Sequence, residues 1–262
     1  MTRRLKRLRD FEISLRIKND NFITPPRTAQ RNWVLNKALS EFASDLNDLD
    51  RSTKHFVPGG EADRISDRTH QVLTDDQIME DWQIPLMEAM ADIVTETHGD
   101  VLEVGFGRGI SADLIQARGV RSHTIVECND SIVDAYQTWR QQYPDQDIRL
   151  IHGKWQDTLD QFLQYDGIFF HAYPLNEAEY LEQVVNSTTF AEHFFATAAN
   201  HLHDGGIFTY LTHEIDSFSR THQRAVLQYF KEFTLSVVDL KMPTDVKDAW
   251  WANSMVVIKA IK

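Results

Sequence analysis

From Val101 onward the chain alternates short apolar runs with amphipathic helical stretches, and nothing else in the sequence limits the fold as strongly. Residues 101–104, 123–126, 148–151, 165–170 and 206–211 read as strands. Residues 110–118 and 131–142 read as helices, and helical sequence over 177–203 separates the last two strands. Strands joined by helices require a parallel sheet covered on both faces. The chain ends differently. Residues 233–240 and 254–260 are strand-like, with only a short segment containing Pro243 between them. They predict an antiparallel pair at one edge of the sheet.

Upstream of this alternation the pattern is helical. Leu35, Ala38, Leu39, Phe42, Leu46 and Leu49 fall on one face of a helix, and Pro58-Gly59-Gly60 marks a turn or link after it. Residues 1–70 are therefore expected to form a helical N-terminal extension, a lid or an oligomer contact, with a homodimer through it among the expected partners. Residues 71–262 form the main domain. Asp75 and Asp76 suit a helix start, and Ile78, Met79, Trp82, Met87 and Met90 continue an amphipathic helix interrupted at Pro85.

Composition narrows the function classes. The chain is 42% hydrophobic and 25% charged, as an ordinary globular core requires. It has no apolar run of membrane-spanning length, so no membrane partner is expected. The N-terminus lacks the features of a secretory signal, which predicts a cytoplasmic protein. A single cysteine, Cys128, leaves no internal disulfide and no cysteine-rich metal site. A net charge of −12 disfavours nucleic acid as a partner. The basic cluster Arg3, Arg4, Lys6, Arg7 and Arg9 reads as a solvated terminus.

The ligand signal lies in residues 100–110, DVLEVGFGRGI. A strand runs into Gly105, Gly107 and Gly109, and a helix follows. Glycines permit positive φ and close approach of a ligand to the backbone. The helix start adds free N–H groups. The G-x-G-x-G spacing departs from the dinucleotide G-x-G-x-x-G, which weakens a dehydrogenase reading. Glu127 follows Gly105 by 22 positions, at the tip of the next strand. A carboxylate there accepts hydrogen bonds from ribose hydroxyls, while Asp130 is the better candidate to cap the next helix. After the third strand, Trp155 beside Gln156 can pack on an adenine face.

These motifs resemble guanidinoacetate N-methyltransferase and the related fungal arginine N5-methyltransferases. The matching stretches are MEDWQIPLM (79–87), VLEVGFGRGI (101–110), IVECND (125–130), GKWQD (153–157) and YDGIFFHAYPL (165–175), with GGIFTYLT (205–212) looser. The resemblance implies an α/β class I methyltransferase sheet, Rossmann-like, mostly parallel with an antiparallel C-terminal hairpin strand. It implies S-adenosyl-L-methionine (AdoMet) as cofactor and S-adenosyl-L-homocysteine as product. It places Met79 and Met87 near the methionine moiety. Glu103, Gly105, Phe106, Gly107, Gly109 and Ile110 would lie under the cofactor. Glu127, Cys128 and Asn129 would follow its ribose and adenine, with Trp155 and Gln156 at the adenine.

Two substitutions alter the acceptor site. Where the family holds a guanidinium with a glutamate and an aspartate, this chain has Gln83 and His171. Neither supplies charge-assisted, bidentate bonds to a planar cation. The expected acceptor is therefore a small molecule with a nitrogen or oxygen nucleophile other than guanidinoacetate. A peptide or protein acceptor and a non-catalytic AdoMet-binding module are the alternatives. His171, at a strand tip beside the transferred methyl, is the candidate base with an ordinary imidazole pKa near 6.5, and it counts among the cofactor contacts. Glu214 is the second catalytic candidate. Gln83, Tyr173, His213 and Glu214 are expected to contact the acceptor. His171, His213, Glu214 and Asp216 lack metal-ligand spacing, so no metal is expected.

Overall fold

The computed structural model describes residues 68–262 except 186, 244–249 and 251. The expected helical extension, up to residue 67, lies outside the described residues. Seven strands form one sheet: β1 (Asp100–Val104), β2 (Ser122–Glu127), β3 (Ile148–His152), β4 (Tyr165–Phe170), β5 (Leu202–Tyr210), β6 (Glu232–Asp239) and β7 (Ser254–Ile261). Their order is β3-β2-β1-β4-β5-β7-β6. The first five are parallel, and β7 runs antiparallel between β5 and β6. This is the class I methyltransferase sheet with its C-terminal antiparallel hairpin.

Five helices of seven residues or more are described: α1 (Ile84–Val94), α2 (Ile110–Ala117), α3 (Asp130–Arg140), α4 (Phe195–His201) and α5 (Arg220–Leu227). Side chains alternate across each strand, and both sides of the sheet are apolar. On one face Leu102, Val104, Ile168, Phe170, Phe208 and Tyr210 meet Phe194, Phe195 and Val226. On the other Val101, Phe169 and Val257 meet Leu86, Met87, Met90 and Ile115. α1 approaches β4 so closely that a Cβ on Gly167 would lie 2.4 Å from the Val94 carbonyl oxygen.

Several local expectations are corrected. The helix begun at Asp75 ends at Ile78, because Met79 is extended (φ −161°, ψ 147°). Pro85 then sits in the first turn of α1, where no N–H is needed. The stretch 177–203 is not one helix but short turns, including a π-helical turn Leu181–Val185, before α4. α3 is capped by Asn129, whose Oδ1 accepts from Ile132 N at 3.0 Å, not by Asp130. Asp130 instead accepts from His70 (2.7 Å) and pairs with His152 (3.1 Å). α5, capped by Ser219, carries only a weak apolar signal in RTHQRAVL and was not expected.

Candidate active site

The carboxyl ends of β1, β2, β3 and β4 open into one cleft. Its floor is the glycine loop. Gly105, Gly107 and Gly109 all have positive φ (95°, 53° and 77°). At Gly105 the requirement is absolute in two ways: the φ is left-handed, and a Cβ would stand 2.2 Å from the His171 carbonyl oxygen. The tips are tied by Gly105 N to Val126 O (2.9 Å) and His171 N to Val104 O (3.0 Å). The loop thus brings β1, β2 and β4 within reach of one ligand.

Of the expected cofactor residues, Met79, Gly105, Phe106, Gly107, Ile110, Glu127, Cys128, Asn129, Trp155, Gln156 and His171 line the cleft. Glu127 is buried at its centre. Its Oε2 accepts from Phe106 N (3.0 Å) and Gly107 N (3.3 Å), and its Oε1 from Cys128 N (2.8 Å) and Asn129 N (2.9 Å). A carboxylate offers about four lone-pair sites, so Glu127 first of all locks the glycine loop to the β2 tip. Burial and the adjacent Glu127 push the Cys128 thiol up to about 12. It stays protonated and serves as a neutral wall. Asn129 also donates from Nδ2 to Arg68 O (2.5 Å) and Gln71 O (2.8 Å). Trp155 packs edge-on to Phe194 and beside His193.

Other expected site residues lie elsewhere. Met87 is fully buried in the core under α1, because its helical position faces the sheet. Glu103 points to that same face, where it pairs with buried His123 (3.0 Å) and accepts from Ser111 Oγ. Gly109 caps α2 and packs against the Phe106 ring outside the cleft. Glu214 is buried on the opposite face of the sheet. Its Oε1 bonds His222 Nδ1 (3.1 Å) and accepts from Ser219 N (3.1 Å), and His222 Nε2 in turn meets Tyr210 Oη (2.7 Å). That network fixes the turn after β5, and Glu214 is not among the residues lining the cleft. His213, exposed with φ 54°, lies beside Trp250 (ring centroids 6.4 Å apart).

At the β4 tip three residues form a line. His171 Nε2 lies 3.3 Å from Tyr173 Oη, and Tyr173 donates to Gln83 Oε1 at 3.1 Å. Tyr173 lines the cleft; Gln83 is buried behind it. With Tyr173 donating to Gln83, His171 Nε2–H donates to Tyr173, which leaves Nδ1 as the unprotonated nitrogen. Burial, reinforced by His213, lowers the His171 pKa to about 4, well below the ordinary 6.5 expected from sequence. The imidazole is neutral. Among the described residues no group of three or more His, Cys, Asp or Glu is placed to hold a metal ion, and no helix is long and apolar enough to cross a membrane.

The sequence reading missed Arg68, Arg108, Lys154 and Glu179, which also line the cleft. Arg108 sits inside the glycine motif, and its ion pair with Asp81 (2.6 Å) holds the Met79 turn over the loop. Arg68 and Glu179 arrive from segments with no motif of their own.

Two relatives are both named protein arginine N-methyltransferase 2. The one from Candida glabrata is 31% identical over 101 residues, covering 36% of this chain and 24% of that protein. The one from Saccharomyces cerevisiae is 29% identical over 102 residues, covering 36% and 24%. The chain thus aligns with about a quarter of the length of these curated relatives. Spermidine synthase from Thermotoga maritima superposes with a TM-score of 0.48 at 14% identity, covering 68% of this chain and 59% of that one. The sequence profile of guanidinoacetate N-methyltransferase matches residues 56–245, well over half of the chain. The chain therefore belongs to the guanidinoacetate N-methyltransferase family of AdoMet-dependent methyltransferases.

Proposed function

We propose that this chain transfers a methyl group from AdoMet to an uncharged nitrogen or oxygen nucleophile on a small molecule other than guanidinoacetate. The His171–Tyr173–Gln83 line carries this reading. It presents an imidazole and a phenol, backed by the buried Gln83 amide, where a cationic acceptor needs carboxylates. Of the two acids expected nearby, Glu214 is bonded to His222, and neither it nor Asp216 lines the cleft.

The residues present fit the cofactor. A glycine loop with positive φ throughout, closed to a Cβ by backbone at Gly105 and crowded by side chains at Gly107 and Gly109, offers N–H groups to a bound ligand. Glu127 supplies an acceptor at the β2 tip, and Trp155 with Phe190 supplies aromatic faces. Bound there, AdoMet supplies an electrophilic methyl on a sulfonium. His171 lies at the β4 tip with Nδ1 free to accept a hydrogen bond from the acceptor's N–H or O–H. Its low pKa keeps it uncharged beside a cation, so it orients the lone pair and passes the proton on rather than storing it. Tyr173 and Gln83 hold the ring.

A second reading, methylation of a peptide or protein, is favoured by the names of the relatives. One experiment separates the two. The protein is incubated with isotopically labelled AdoMet, a metabolite extract and a protein extract, with guanidinoacetate in a parallel reaction. Label in a metabolite, and none in guanidinoacetate, is expected. Label in protein arginine would favour the second reading. S-adenosylhomocysteine binding without turnover on either pool would leave a non-catalytic module.

A further inference from the structure

We infer that Glu179 selects the 6-amino group of the cofactor's adenine, and so acts as a specificity determinant that the glycine loop and the β2 tip do not supply. The inference rests on the cofactor reading above.

Glu127 and Glu179 are the carboxylates lining the cleft among the described residues. Glu127 is already engaged by four backbone N–H groups, two on each oxygen. Glu179 is not. Its Oε2 accepts from Leu175 N at 2.9 Å, and its own N–H donates to Asn176 Oδ1 at 3.0 Å. The first bond fixes the carboxylate and the second its backbone, and Oε1 has no partner among the described residues. The carboxylate therefore stands in the cleft preorganised, with one acceptor atom to offer.

Its place in the cleft identifies the ligand atom. Glu179 is close enough to Cys128 to help hold that thiol protonated, and to interact with the ring of His193. Cys128 follows the ribose acid directly, and His193 packs on Trp155. Glu179 thus stands on the Cys128–Trp155 side of the cleft, where the cofactor reading sets the adenine beyond its ribose. The other polar side chains lining that side are Arg68, Asn129, Lys154 and Gln156. Asn129 is engaged by backbone groups and its helix cap, and Arg68 only donates. Gln156 has both a donor and an acceptor and accepts an amino or an oxo group equally. Lys154 only donates and favours an oxo group. Glu179, as a carboxylate, only accepts. It alone rewards a 6-amino group and repels a 6-oxo group.

The test is calorimetric affinity for S-adenosylhomocysteine and for S-inosylhomocysteine, its 6-oxo analogue, in wild type and Glu179→Gln. Glutamine keeps an oxygen for Leu175 N, so the melting temperature should hold. Wild type should prefer the adenine form by roughly tenfold to a hundredfold, the range of one charge-assisted bond. In Glu179→Gln that preference should shrink to about threefold or less. An unchanged preference alongside intact S-adenosylhomocysteine binding overturns the assignment of Glu179 alone. Wild type that binds neither compound overturns the cofactor reading and this inference with it.

Discussion

The unprotonated His171 imidazole makes two predictions at the residue scale. Its folded pKa, about 4, lies below the 6.5 of an unfolded histidine. Above pH 6.5 neither state holds the proton and folding is unaffected. As pH falls from 6.5 towards 4 the unfolded chain binds a proton that the folded chain refuses, so stability is lost, by about 3 kcal/mol at most. His171→Asn should flatten the decline in melting temperature between pH 7 and pH 4.5; an identical decline in both proteins would exclude His171 as its source. Turnover should likewise show an acid limb near pH 4 rather than pH 6.5. His171→Ala should lower turnover by roughly 10²-fold or more, with S-adenosylhomocysteine affinity within about twofold of wild type. Near-normal turnover with a much lower melting temperature would mark the histidine as structural.

At the scale of the elements, two turns hold the strand tips, and they should fail differently. Gly105→Ala puts a Cβ against the His171 carbonyl and forces a left-handed φ on alanine. The strain alone costs about 1–3 kcal/mol, and relief requires the β1 and β4 tips to part. Loss of cofactor binding, measured by calorimetry, should exceed what the fall in stability explains. The turn after β5 is held by buried Glu214, His222 and Ser219, none of which lines the cleft. Glu214→Ala leaves the His222 ring and the Ser219 N–H without a buried acceptor, a loss of about 2–4 kcal/mol. Cofactor affinity and turnover per folded molecule should stay near wild type. A catalytic defect in the folded variant would restore Glu214 to the chemistry.

For the whole molecule, the sheet is self-sufficient: α1, α2 and α3 cover one face, and α4 and α5 the other. Removing residues 1–67 should therefore leave a cooperatively folding domain. We propose that the removed extension is a lid or an oligomer contact, because Trp33, Leu35, Leu39 and Phe42 form an apolar set that needs a cover. The truncated protein should lose turnover or change its solution mass by light scattering. Full activity at an unchanged mass would make the extension dispensable. Residues 68–70 must be kept, since Arg68 N bonds Leu175 O and Asp130 N bonds Thr69 O at the rim of the cleft.

The sequence alone determined the sheet and the cofactor cleft. Strand and helix periodicities are local, so β1 to β4, β6 and β7 were legible almost to the residue. The glycines at 105, 107 and 109 announce a turn that other residues cannot make. The direction in which an acid leaves its strand is not local. Glu103 adjoins cleft-lining Val104 and Glu214 follows a strand end, yet tertiary packing turned both into buried pairs with His123 and His222. Asn129, the last extended residue, caps the helix because Asp130 is already helical, and Asp130 pairs instead with His70 and His152, distant in sequence. Glu179 entered the cleft through a fold of the chain after Pro174 that no motif marks. The charge state of His171 was likewise decided by tertiary structure, since a pKa follows from burial and neighbours, and both come from segments far apart in the chain.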